Sequence, residues 1–403
     1  MNGGPLSDLR VLEVGDFISA PYAAKMLADL GAEVIKIEDP QAPDSARDFG
    51  PFPQDLPDPA HSGLYAYLNA NKLGVTLNLR SATGRALFQR LAAEADVVLD
   101  GDPSRPLPAL GLGYETLERI NPRLVVTSVT PFGLTGPYAG FKANDMIAFH
   151  ASGAGHRQIG YPDREPIRAA WYHADHWGAV NAAAATMLAL EARQHIGRGQ
   201  RVDVSSAESL AMLFVSFNNV GPYWDHHLVL GRTGYIWTGT YLGVLPCKDG
   251  YVFVFTPDDH MWEGMIKALD DPEWAKDPLF AHREGRAEYA EEIVALLTET
   301  LRDRTKEEFF QRSQANRAPN APVYDLREVF ENRHLRVRDY FVDLPTTGGE
   351  TYEVPGPPYR FSEGGWSLRR PAPALGEDNE AVYCNRLGLG RTELAALRRA
   401  QVI

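Results

Sequence analysis

The chain has 403 residues, 44% of them hydrophobic and 23% charged, with a formal net charge of −13 at pH 7. One simple core does not grow to this length, so the composition describes a globular protein of two domains. The acidic balance argues against nonspecific binding to nucleic acid or anionic membranes, and leaves room for a local basic pocket that takes an anion.

Two cysteines, Cys247 and Cys384, lie far apart in sequence. They form neither a disulfide framework nor a metal-ligand cluster, and no His/Asp/Glu group has ligand spacing, so no metal is expected. The opening MNGGPLSDLR carries no apolar signal core, and no run is long enough to span a bilayer. The expected location is a reducing cytoplasm.

Leu9–Val14 is a short apolar run that reads as a buried strand, followed by the loop Gly15–Pro21, a helix over Tyr22–Leu30 and the strand Glu33–Ile37. Gly31 ends the helix. Strand, loop, helix, strand is a βαβ unit, which favours a parallel sheet whose ligands bind at the carboxyl edge of the strands. No GxGxxG follows the first strand, so a dinucleotide fingerprint is absent. Asp39–Pro59 is rich in Pro and Asp and predicts a long surface excursion, where Asp44 and Arg47 are either solvated or clamp a ligand.

A turn at Asn71–Gly74 leads into the strand Val75–Leu79. Then come a helix over Thr83–Ala95, the strand Val97–Leu99, a helix over Tyr114–Ile120 and the strand Leu124–Val129. This alternation is the doubly wound α/β pattern. Phe132–Pro137 is a Gly/Pro turn able to present backbone N–H groups, and Asp145–Ser152 predicts a helix.

The stretch Ala169–Leu190 brings Trp171, Tyr172 and His173 up to Asp175, after which an Ala-rich helix runs to about Arg193. Asp is a favoured N-cap, and a carboxylate there feels the positive end of the helix dipole, which lowers its pKa and keeps it ionised. Gly178, one turn on, lets a ligand approach the backbone. Such an Asp is either an ordinary cap or a carboxylate nucleophile. The strand Arg201–Val204 and a helix from Ser206 to about Phe217 complete a first domain, 1–220. Beyond it, the strands Leu242–Leu245 and Tyr251–Phe255 flank an Asp-Gly hairpin turn and precede amphipathic helices at Met261–Leu269, Tyr289–Thr298 and Lys306–Gln314. This block, 225–325, is a smaller α+β domain, and 330–403 is a C-terminal segment.

Taken in order, LRVLEVGDFISAPYAAKMLADLGAEVIKIEDP, NANKLGVTLNL, LGLGYETLERINPRLVVTSVTPFGLTGPYA, HADHWGAVNAAAATMLAL, GRGQRVDVS and PAPALGED resemble the class III CoA-transferases, the family of formyl-CoA transferase and carnitine CoA-transferase. The likeness covers nearly the whole chain. It implies a Rossmann-like large domain, a small α+β domain, a C-terminal segment returning to the large domain, and an interlocked homodimer. The family's nucleophilic Asp stands in a D-x-x-G context before an Ala-rich helix, here Asp175-His176-Trp177-Gly178. The implied mechanism is attack of this carboxylate on an acyl-CoA thioester to give a mixed anhydride, then attack of CoA thiolate to leave an enzyme–CoA thioester. A second acid reverses both steps. Only a carboxylate carries CoA as a thioester while accepting an acyl group as an anhydride.

CoA is thus substrate, not prosthetic group. The resemblance places it along Phe17, Ile18, Ser19 and Ala20 and near Asn71 and Lys72, with Lys72 on a phosphate. Backbone N–H groups near Gly136 or Gly178 are candidates for the oxyanion. Two departures matter. The family's basic stretch after the fourth strand is here Asp100-Gly101-Asp102, where Arg105 is the compensating cation. The glycine-rich lid of formyl-CoA transferase has no clear counterpart, since Gly231–Gly239 is aromatic. Formyl-CoA and oxalate are therefore poor substrate choices, and Trp171, Tyr172, His173, Trp177 and Tyr235 point to a larger or more apolar acyl group.

Two alternatives stand beside this reading. The related 2-methylacyl-CoA racemases pair the Asp with a His that would fall at Asn144, leaving His150 or His173 as replacement bases. Proton exchange at Cα without an acceptor acid is their signature. A non-catalytic CoA-binding protein would instead bind CoA tightly and exchange nothing.

Overall fold

The computed structural model describes residues 4–102, 106–157, 160–214, 217–232, 243–346 and 348–403. Six parallel strands form the main sheet: β1 (Arg10–Gly15), β2 (Glu33–Glu38), β3 (Lys72–Thr76), β4 (Val97–Gly101), β5 (Val125–Thr130) and β6 (Arg201–Ser205), in the order β3-β2-β1-β4-β5-β6. This is the doubly wound order, so the chain reverses its direction of winding between β1 and β4. The crevice beyond the carboxyl ends of those two strands is where such sheets take ligands.

Alternation along β1 sorts the core. Leu12 and Val14 face a layer with Ile35, Ile37, Phe88 and Val98, while Val11 faces the opposite layer with Val34, Leu99 and Val129. The main helices are α1 (Ser19–Asp29), α2 (Gly63–Asn69), α3 (Ala82–Ala92), α4 (Tyr114–Ile120), α5 (Asp145–Ala151), the single turn α6 (Ala154–Arg157), α7 (His173–Ile196) and α8 (Ser206–Phe214). Ala20, Ala23 and Ala24 of α1 and Ala179, Ala182 and Ala183 of α7 are buried together. Their small side chains let the two helix axes come close, and this brings the start of α7 beside the start of α1.

β3 begins at Lys72, three residues earlier than the apolar pattern predicts. Asn71 supplies the turn with a positive φ of 65°, and Gly74, paired with Lys36 inside the strand, is glycine because a Cβ there would meet Pro373 at 2.7 Å.

The chain divides into two compact units. The first comprises Met1–Ala154, Arg168–Asn218 and Asp339–Ile403, and the second Gly155–Ile167 and Asn219–Arg338. In the first, the C-terminal stretch adds the hairpin β10 (Phe341–Pro345) and β11 (Thr351–Pro355) and buries Val382, Tyr383, Val402 and Ile403 in the sheet core. The second has its own sheet, β7 (Gly243–Cys247), β8 (Gly250–Val254) and β9 (Ala321–Val323), over a core containing Leu245, Val252, Trp262, Met265, Ile293, Leu297 and Phe309.

Candidate active site

Asp175 is the third residue of α7, not its cap. The capping position is held by Tyr172 in a left-handed conformation, φ 41°, after Trp171 at φ 61°. The free N–H groups of the first turn are met from outside the helix. Asp145, the first residue of α5, accepts from Ala174 N–H at 2.7 Å and Asp175 N–H at 3.2 Å through one carboxylate oxygen. The capping work is therefore done by Asp145, and the Asp175 side chain is left for other use.

That side chain turns toward the β1–α1 loop. Ser19 Oγ donates to Asp175 Oδ1 at 2.9 Å, and among the described residues no donor meets Oδ2. The expectation that the helix dipole holds Asp175 at low pKa is reversed. Burial pushes it up to about 6, the Ser19 hydrogen bond opposes the rise, and the neighbouring Asp145 charge adds to it. Above pH 6 the group is still mostly a carboxylate, and a poorly solvated one.

The loop that carries Ser19 is fixed at several points. Phe17, at φ 63°, gives its N–H to Asp44 at 3.0 Å, and Asp16 accepts from Ser45 N–H at 2.8 Å and Ser45 Oγ at 3.0 Å. Lys72 Nζ donates to Pro21 O at 2.8 Å. The Phe17 ring meets Tyr172 edge-on with centroids 4.8 Å apart. Ile18 and Ala20 are fully buried. Phe17, Trp171 and Tyr172 are bulky residues held at positive φ around one carboxylate, a backbone state that persists only where packing over-determines it.

Beneath the loop lies a buried charge network. Glu13 on β1 binds Lys36 at 2.8 Å and Lys72 at 2.7 Å, and Lys36 also binds Asp44 at 2.6 Å, all four side chains being buried. Burial lowers the Lys72 pKa to about 8 against the pull of Glu13. Arg47 pairs with Glu38 through Nε at 2.9 Å and Nη2 at 2.8 Å. Asp44 and Arg47 are thus not solvated; their buried ion pairs tie the excursion to the sheet. Lys72 is also corrected. Its ammonium is enclosed by Glu13, Asn69 Oδ1 and Pro21 O, so meeting a phosphate would require breaking a buried ion pair. Asn71 holds Asp29 and receives the N–H groups of Arg369 and Arg370, an anchor for the returning C-terminal segment.

Gly178, the sixth residue of α7, is past the turn whose N–H groups are free, so it is no oxyanion donor. It is glycine because a Cβ would run into Ser206 Oγ and touch Val129 at 3.3 Å. Gly136 keeps its role open. It sits at φ 85° in the turn after β5, and a Cβ there would have nothing within 4 Å. His173 packs edge-on to Phe149, with centroids 6.5 Å apart. His176 Nδ1–H donates to Tyr172 O at 2.8 Å, and burial lowers the pKa of this imidazole against that hydrogen bond. Asn144 caps α5, its Oδ1 accepting from Ile147 N–H at 3.2 Å. Asp100 and Asp102 are buried, so their charge is not presented at the crevice. Arg105, Tyr235 and most of Gly231–Gly239 lie outside the described residues.

The family model for "CoA-transferase family III" matches residues 6–379. The chain belongs to CoA-transferase family III. Its reaction class is CoA transfer, and CoA thioesters are its substrates. The chain is 32% identical over 99% of its length to succinyl-CoA–D-citramalate CoA-transferase of Chloroflexus aurantiacus, covering 98% of that protein. It is 33% identical over 94% of its length to the BbsE subunit of succinyl-CoA:(R)-benzylsuccinate CoA-transferase of Thauera aromatica, covering 94% of it. Among solved structures, a CAIB/BAIF family protein from Brucella suis superposes with a TM-score of 0.83, at 29% identity, over 98% of this chain and 100% of that one. Among the described residues of this family member, no helix is long and apolar enough to cross a membrane.

Sequence reasoning missed Asp145 and the partner role of Ser19. Asp145 was visible only as the start of another helix, 30 residues before Asp175.

Proposed function

We propose that this family III CoA-transferase moves CoA from an acyl-CoA to a carboxylic acid through covalent intermediates on Asp175. The observation that carries the reading is the Asp175 carboxylate itself. It is half-buried, raised to about 6 by burial, oriented through one oxygen by Ser19, and open at the other. Desolvation makes a carboxylate a better nucleophile toward a thioester carbonyl. Phe17, Ile18, Ser19 and Ala20 follow the carboxyl end of β1, where such sheets take ligands, and are proposed to run along the CoA pantetheine. Tyr172, His173 and the open backbone at Gly136 are proposed to face the acyl group. Arg105 is retained as a proposed phosphate partner.

Several relatives are named for succinyl-CoA, and this supports succinyl-CoA as the first donor to test. A dimer is proposed as the working assembly. Trp171, Leu188 and Met212 of the first unit are exposed by 77%, 71% and 66%, apolar side chains that a partner surface would cover. Sedimentation reads the assembly directly. The reaction is tested with a panel of acyl-CoA donors against carboxylic acids, products read by mass spectrometry. Succinyl-CoA with a dicarboxylic acceptor is expected to exchange, and Asp175→Ala is expected to abolish exchange while melting as a folded protein. Exchange surviving in Asp175→Ala would remove the nucleophile from the proposal.

A further inference from the structure

Ser19 is the first residue of α1, and its hydroxyl is aimed at the carboxylate proposed as the nucleophile, donating to Oδ1 at 2.9 Å. Its position is not left to a free loop. Asp16 is tied to Ser45, Phe17 N–H to Asp44, and Pro21 O to the buried Lys72. The serine hydroxyl is thus held on both sides in sequence, before it by Asp44 and Ser45 of the excursion and after it by Lys72 of β3. We propose that Ser19 is a catalytic hydrogen-bond donor that leaves Asp175 Oδ2 as the attacking oxygen and stabilises the charge that later develops on Oδ1. This rests on the covalent reading of Asp175.

The electron accounting follows the two oxygens. Oδ2 gives a lone pair to the thioester carbonyl carbon, the C–S bond breaks, and the thiolate leaves with its pair, giving the mixed anhydride. The thiolate then attacks Cγ of Asp175, and the carbonyl pair moves onto Oδ1. There the Ser19 O–H faces a full negative charge and its hydrogen bond is strongest. The oxyanion collapses, the Cγ–Oδ2 bond breaks, and the donor acid departs carrying Oδ2, leaving Asp175 as a CoA thioester whose carbonyl oxygen is Oδ1. The acceptor carboxylate attacks the same Cγ, places charge on Oδ1 again and expels thiolate, which then attacks the acceptor's own acyl carbon, breaks its bond to the aspartyl oxygen and leaves the new acyl-CoA and the free Asp175 carboxylate. No net proton transfer is needed in either half, which suits a donor that holds a proton without giving it up. The same hydrogen bond favours the charged form of the free carboxylate, opposing the burial that raises it.

The test uses full-length wild type, Ser19→Ala, Ser19→Gly and Ser19→Thr, each first checked by thermal melting. Enzyme is mixed with succinyl-CoA, quenched in time and mapped by peptide mass spectrometry for CoA on Asp175; succinate is then added and loss of the adduct is followed. The pH profile of kcat/KM for succinyl-CoA is recorded in parallel. In Ser19→Ala and Ser19→Gly, formation and loss of the adduct are expected to slow on the order of 100-fold, and the acid limb of the profile to move to higher pH. Ser19→Thr, which keeps the hydroxyl, restores both. Wild-type adduct on Asp175 with unchanged rates and an unmoved limb in Ser19→Ala overturns the role of Ser19 and leaves the covalent reading standing. Wild-type exchange without any adduct on Asp175 overturns the covalent reading, and the Ser19 role with it.

Discussion

A carboxylate whose pKa is raised in the folded state destabilises the fold when it ionises, and Asp175 is such a group. Its pKa is about 6 in the structure against an ordinary value of 3.8. The unfolded chain gives up this proton first as pH rises, so stability is lost between about pH 4 and pH 6 and the full penalty persists above. Two pKa units correspond to about 3 kcal/mol, and partial exposure brings the expected figure to about 1–3 kcal/mol. Asp175→Asn keeps an oxygen for Ser19 and removes the charge. It is therefore expected to melt a few degrees above wild type at pH 8 and together with it at about pH 3.5, below both pKa values, while losing exchange activity. Equal melting at both values would show that Asp175 is better solvated than its surroundings indicate. Wild-type kcat/KM, which needs the ionised form, is expected to fall as pH drops through about 6. The same reasoning separates Asp175 from Lys72. Both are ionisable groups withdrawn from water in the first unit, Lys72 fully and Asp175 in large part, but Lys72 has Glu13 as a counter-ion and Asp175 has no cation among its described partners. A buried charge with a partner supports structure; one without a partner is the better candidate for chemistry.

At the level of elements, the junction of α7 with β6 and α8 decides how close Asp175 can come to α1. Gly178 lies against Ser206, the first residue of α8, with no room for a methyl group. Gly178→Ala is expected to destabilise by about 1–3 kcal/mol through overpacking, despite alanine's better helix propensity. Ser206→Ala removes the clashing oxygen and leaves its Cβ 3.3 Å from the new methyl, so the double variant should recover most of the loss. Additive melting temperatures in the double variant would deny that these two atoms compete for one space. Strands β1, β2, β4 and β5 were legible because buried parallel strands are written as runs of Val, Leu and Ile. The Ala-rich helix was legible as well, and Asp175 stood out by its place at the helix start. The capping of α7 by Asp145, the burial of Lys72 against Glu13 and the partner of Ser19 were not. Each joins residues distant in sequence, 30, 59 and 156 positions apart respectively. No local pattern encodes which carboxylate a lysine or serine will find.

The whole molecule is arranged so that the chain leaves the first unit after Ala154 and again after Asn218, and returns to it at Asp339. The returning segment closes the exposed edge of the sheet. β3 has β2 on one side only, and on the other its backbone is met by side chains. Asp378 Oδ2 accepts from Gly74 N–H at 2.8 Å, Asn379 Oδ1 from Thr76 N–H at 2.9 Å, and Asn379 Nδ2 donates to Thr76 Oγ1 at 2.8 Å. Two side chains thus stand in for a seventh strand and keep the edge from pairing with another chain. Asn379→Ala leaves the buried Thr76 N–H without an acceptor, which is expected to destabilise the first unit by about 1–3 kcal/mol. The second unit has a core of its own, around Val252, Trp262 and Leu297. Amide hydrogen exchange in Asn379→Ala should therefore accelerate along β3 and through Val382 and Tyr383, while β7 and β8 keep the wild-type rate. Equal acceleration in both units would mean that they open as one cooperative body, and that the C-terminal segment stabilises more than the sheet edge it covers.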